Sequence, residues 1–136
     1  MRIQNDEGEA QAAGAGSKVI LAVDDSAAVR ALAVTRLTAL GYHVLEADGG
    51  AAAMAQIEGG AIDLLFTDIT MPGMNGKQLA TLARAKCPKL KVLFTSGFAG
   101  SLLSGSTELE LGDRLLSKPY RRNDLARAVC EALAEA

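Results

Sequence analysis

The residues of this chain that could do chemistry are acids and hydroxyls standing where apolar runs stop. Asp63-Leu64-Leu65-Phe66-Thr67-Asp68 ends on a carboxylate. It leads into Ile69-Thr70-Met71-Pro72-Gly73-Met74-Asn75-Gly76, where Pro, Gly and Asn mark a turn. Lys18-Val19-Ile20-Leu21-Ala22-Val23 likewise stops at Asp24-Asp25. Farther on, Leu90-Lys91-Val92-Leu93-Phe94 meets Thr95-Ser96, and Leu115-Leu116 is followed by Ser117-Lys118-Pro119. A single strand-end Asp is usually a turn cap. Three acids, two hydroxyls and a lysine at successive strand ends are a set that one cap cannot explain.

The elements that would gather this set are readable. The run from Lys18 to Val23 is continuous and β-branched-rich, as in strands buried on both faces of a parallel sheet. Ser26 can cap a helix carrying Val29, Leu32, Ala33, Leu37 and Leu40 at helical spacing, stopped by Gly41. His43 to Ala47 reads as strand two, Ala51 to Glu58 as a short helix, and Ile62 to Thr67 as strand three. A helix over Gly76 to Lys86, with Leu79, Leu82 and Ala83 inward, ends before Pro88. Leu90 to Phe94 gives strand four, and Leu115-Leu116 a short strand five. Asn123 is expected to cap a last helix with Leu125, Ala128, Val129, Ala132 and Leu133 on one face. The Gly- and Ser-rich stretch 98–112 predicts a fourth helix that is short or absent. Strands alternating with helices predict an α/β fold, a doubly wound five-stranded parallel sheet of flavodoxin-like order 2-1-3-4-5.

In that order all carboxyl ends share one edge, and strands one and three are neighbours about 4.8 Å apart. Asp24, Asp25 and Asp68 would then crowd. Two unit charges at about 4 Å repel by roughly 4 kcal/mol at an effective dielectric of 20. Either the carboxylates take up protons or a cation joins them. A small hard divalent ion with oxygen ligands suits, and Mg²⁺ suits best.

Composition bounds the rest. The chain has 136 residues, 49% hydrophobic and 22% charged, with formal net charge −2. That is enough for one domain with a core and has no basic excess for nucleic acid. No run is long enough to span a bilayer, and the N-terminus lacks a secretory signal core, so a cytoplasmic protein without membrane contact is expected. Cys87, Cys130 and His43 are isolated and show no metal-ligand spacing. Residues 1–17, rich in Gly, Ala and acids, read as a flexible segment ahead of a domain over 18–136.

Val23-Asp24-Asp25-Ser26, Asp68 to Gly76, Ser96-Gly97 and Lys118-Pro119, in that order and spacing, resemble the receiver domain of two-component response regulators. The resemblance implies that Asp68 accepts a phosphoryl group. It implies that Asp25 and Asp68 bind Mg²⁺ directly, Asp24 through water, and the Thr70 backbone carbonyl as a further ligand. Ser96 resembles the switch hydroxyl, with Thr95 as the alternative, and Lys118 the partner of the phosphoryl group. The implied donor is a histidine kinase or a histidine phosphotransfer protein, with an effector that the sequence does not name. The domain would not be an enzyme, apart from phosphorylating and dephosphorylating itself. It could stand alone or belong to a hybrid kinase.

Two features depart from the family pattern. The strand-five aromatic is replaced by Leu115, and the fourth helix by the 98–112 stretch. Phe98, two after Ser96, could screen attacking water. An alternative is a pseudo-receiver that binds partners without phosphorylation, against which Asp68, Lys118 and the acid pair argue. An aspartyl-phosphate phosphatase would want an acid where Thr70 stands.

Overall fold

Five strands form one parallel sheet in the order 2-1-3-4-5, in a computed structural model that describes residues 18–71, 73–96, 114–117 and 120–134. They are β1 (Val19–Val23), β2 (His43–Ala47), β3 (Leu64–Asp68), β4 (Lys91–Ser96) and β5 (Arg114–Ser117). The helices are α1 (Ala27–Ala39), α2 (Gly50–Glu58), α3 (Gly76–Lys86) and α4 (Arg122–Ala134). This is the predicted α/β architecture. β3 is its centre: it pairs with β1 and β4, and all five of its residues are buried.

Side chains alternate across the sheet and feed two apolar layers. Leu21, Val23, Leu65 and Phe94 face α2 and α3, meeting Ala53, Ile57, Leu79 and Ala83. Ile20, Ala22, Leu64, Phe66 and Leu93 face the other way, against Ala33 and Leu37 of α1 and Leu125, Val129 and Ala132 of α4. Each fully buried Leu or Val contributes roughly 1.5–3 kcal/mol, so the strands are held mainly by the helices that cover them.

Helix ends follow local chemistry. Ser26 caps α1 as expected, its hydroxyl accepting from the Val29 amide at 3.3 Å. Asn75, a turn former by sequence, caps α3 in a reciprocal box with Gln78, at 2.8 and 2.9 Å. Asn123 does not cap α4. That helix starts at Arg122, two residues earlier than an Asn123 cap would put it: the Arg121 carbonyl takes the first helical bond and the Asp124 carboxylate accepts the Arg121 amide at 3.1 Å. An acid at the third position completes the turn without Asn123.

The inward assignment of Leu82 is corrected, and Leu32 of the α1 apolar stripe is also not covered. Leu32 and Leu82 are exposed, at 49% and 45%. On α3 the buried arc is Leu79, Ala80 and Ala83. At 100° per residue Leu82 lies about 60° from Leu79, on the side away from Ala80 and Ala83. β3 starts at Leu64 rather than Ile62, because Asp63 serves the neighbouring strand: its carboxylate accepts the Val19 amide at 2.8 Å. β4 runs to Ser96, two residues past the expected end. The expectations for 1–17, for the fourth helix over 98–112 and for Phe98 lie outside the described residues. Among those described, no helix is long and apolar enough to cross a membrane.

Candidate functional site

Asp24 leaves the end of β1 and Asp68 is the last residue of β3. Strand alternation puts both on the α1/α4 side of neighbouring strands, and Asp25 follows on the β1–α1 loop. One carboxylate oxygen from each of Asp24, Asp25 and Asp68 lies within 4.8 Å of the other two. The sequence-predicted convergence is therefore present. Asp24 and Asp68 are buried, 6% and 8% exposed, while Asp25 faces solvent.

Backbone pairing holds these acids rigidly. The Asp24 amide donates to the Ala47 carbonyl at 3.3 Å, and Asp24 Oδ1 accepts the Ser26 amide at 2.9 Å. Arg30 Nη1 donates to the Asp24 carbonyl at 2.7 Å. On the other strand, the Ile69 amide donates to the Thr95 carbonyl at 2.9 Å, and the Gly76 amide to the Ile69 carbonyl at 2.8 Å. Gly76 packs on the Asp68 carbonyl with no room for a β-carbon, and Gly73 turns the loop with φ +77. Glycine meets both demands at no steric cost.

Two buried like charges this close repel by at least about 3 kcal/mol at an effective dielectric of 20. Their donors are hard carboxylate oxygens, with one side open to water at Asp25. That set could hold a metal ion, and its chemistry suits an oxygen-seeking divalent cation that keeps part of its water shell. His43 is exposed at the far end of β2, and Cys87 and Cys130 are free thiols, so none of them joins the cluster.

The remaining predicted residues divide. Thr95 is buried and stands directly opposite Asp68 in the β3–β4 register. Ser96 is one step beyond, opposite Ser117 of β5. The Ser96 hydroxyl and all of Lys118 lie outside the described atoms; Lys118 follows Ser117 in sequence. Thr70 is exposed on the loop two residues after Asp68. Leu115, which stands in place of the family's strand-five aromatic, is half-buried against the α2/α3 layer and pairs with Phe94.

Three neighbours were missed by sequence reading. Arg30 and Glu46 form an ion pair at 3.0 Å beside the acids. Their separation of sixteen residues offers no local signal. Tyr120, two residues after Lys118, meets Phe66 edge-on with ring centroids 6.4 Å apart. The Arg36 guanidinium lies 5.9 Å from its ring and donates to its carbonyl at 3.3 Å. Burial pushes the Tyr120 phenol above its ordinary pKa; Arg36 pulls it back and Asp24 adds to the rise.

Comparison with known proteins agrees with this geometry. The family described as the response regulator receiver domain matches residues 20–130. The response regulator receiver protein CpdR of Brucella abortus (strain 2308) is 36% identical over 119 residues, covering 88% of this chain and 98% of that protein. The sensor kinase CckA of the same organism is 35% identical over 120 residues, 87% of this chain but only 13% of the kinase. The crystal structure of the receiver domain from the hybrid histidine kinase CckA superposes with a TM-score of 0.71 at 38% identity. That alignment covers 85% of this chain and 98% of the other. With its sheet order, its converging acids and a family match over most of its length, the chain belongs to the response regulator receiver domains of two-component systems.

Proposed function

We propose that Asp68 accepts a phosphoryl group from the phosphohistidine of a histidine kinase or histidine phosphotransfer protein. The observation that carries this is the triad itself, with a buried Asp68 ending the central strand beside Asp24 and Asp25. One Asp68 oxygen forms a bond to phosphorus as the histidine N–P bond breaks, and the imidazole leaves with its electron pair and takes up a proton. Positioning and charge do most of such a transfer, and a carboxylate fixed by β3 pairing is positioned in advance.

Asp24, Asp25 and Asp68, with the Thr70 carbonyl, would hold Mg²⁺. When bound, the ion supplies positive charge to the phosphoryl oxygens as they pass from donor to acceptor. Lys118, next after Ser117, would pair with the product phosphoryl group, and Ser96 would donate to it, with Thr95 as the alternative hydroxyl. Moving a two-state equilibrium from 1:99 to 99:1 takes about 5.5 kcal/mol. Two or three charge-assisted hydrogen bonds at roughly 1.5–3 kcal/mol each span a range that includes this figure. The readout is altered binding of a protein effector in the cytoplasm. Chemistry is confined to Asp68 itself, in a domain over 18–136 with 1–17 as a linker.

The test is incubation with a small phosphodonor, with and without Mg²⁺, of wild type and Asp68→Asn, read by intact mass. One added phosphoryl group on wild type, dependent on metal and absent from Asp68→Asn, is expected. Labelling without metal, or equal labelling of the variant, removes the mechanism.

A further inference from the structure

We infer that Glu46 is a positioning residue for the acid triad: it holds the Arg30 guanidinium on the backbone side of Asp24 and off the carboxylates. The inference rests on the metal-binding reading above. Arg30 reaches from α1 toward the sheet, with Nη1 2.7 Å from the Asp24 carbonyl oxygen and Nε 3.0 Å from Glu46 Oε1. Its side chain is 18% exposed. Glu46 sits on β2 opposite Ala22, and its own carbonyl accepts Gln56 Nε2 of α2 at 2.8 Å. Glu46 is thus fixed at its backbone, and its carboxylate fixes the arginine.

The alternative home for that guanidinium is close. The carbonyl and carboxylate belong to the same residue, so rotation about the Arg30 side-chain bonds carries the guanidinium from one to the other. Arg30 and Asp24 also line one narrow cavity together with Phe66, Thr95 and Tyr120. A guanidinium placed there makes forked, charge-assisted bonds to the carboxylates. It would neutralise the triad internally and occupy the oxygens a cation needs. An ion pair as exposed as Arg30–Glu46 adds little stability. What it changes is where a positive charge stands.

The test is a double-mutant cycle on Mg²⁺ affinity of the unphosphorylated chain, read by calorimetric titration, with melting temperature in EDTA as the control. Glu46→Gln is expected to weaken Mg²⁺ binding about two- to five-fold, with an unchanged melting temperature. In an Arg30→Gln background the same Glu46→Gln change is expected to do nothing. Equal weakening in both backgrounds would mean that Glu46 acts only as a distant charge, and would overturn the inference. So would unchanged binding in Glu46→Gln. Wild type that binds no Mg²⁺ at all overturns the metal reading itself, a separate and recognisable failure.

Discussion

Gly76 lies so tightly against Asp68 that a β-carbon at Gly76 would run into the Asp68 carbonyl oxygen and the Ile69 backbone. The first residue of α3 and the last of β3 thus share one space, which fixes how the loop between them leaves the site. Gly76→Ala must push backbone aside and is expected to cost about 1–3 kcal/mol. Gly50→Ala meets chiefly the Met74 side chain, with its sulfur nearest at 2.6 Å, which can swing away. It is expected to fall within about 1 kcal/mol of wild type, since Ala is the better helix former. Urea unfolding of the two variants separates the cases.

Relief of the buried acids should show in stability. In EDTA, Asp68→Asn is expected to be at least as stable as wild type, because one of two buried like charges is gone. With Mg²⁺ at a hundred times its dissociation constant, wild type gains about 2.7 kcal/mol. Asp68→Asn should lose most of that gain. Thermal melts with and without metal read both effects, and a variant stabilised by Mg²⁺ as strongly as wild type would contradict the triad.

The corrected face of α3 has a direct check. Leu79 is fully buried and Leu82 is 45% exposed. Leu79→Ala is expected to lose about 2–5 kcal/mol, and Leu82→Ala no more than about 0.5 kcal/mol. Similar losses at the two positions would put the helix in a different rotation.

Alkaline pH should weaken the fold through its two tyrosines. Burial raises the Tyr42 phenol above its ordinary value of 10.0, with the Cys130 thiolate adding to the rise, and burial also raises Tyr120. The native pKa lies above the unfolded one, so neutral phenols add stability that is complete below about pH 10. That stability is lost as pH climbs through the raised native values. Ultraviolet titration should place both phenols higher in native protein than in urea. Urea midpoints should fall above pH 10.

Strand positions, the acids at strand ends and the inward faces of β1, β3 and α4 were legible because apolar period and turn chemistry are local properties of the chain. The same locality explains the errors. Leu32 and Leu82 sat on a plausible helical stripe, but which arc is covered depends on the sheet beneath it. Asn123 had a capping residue's chemistry, yet Asp124 closed the turn from the third position. Residue spacing brought Asp24, Asp25 and Asp68 to one edge as soon as the strand order was known. Only the tertiary structure decided that Thr95, not Ser96, stands opposite Asp68, that Arg30 and Glu46 flank the acids, and that Gly76 supports them. Register and cross-strand ion pairs are set between segments far apart in sequence, and the close approach of Gly76 to Asp68, though only eight residues separate them, depends on how the loop between them folds back.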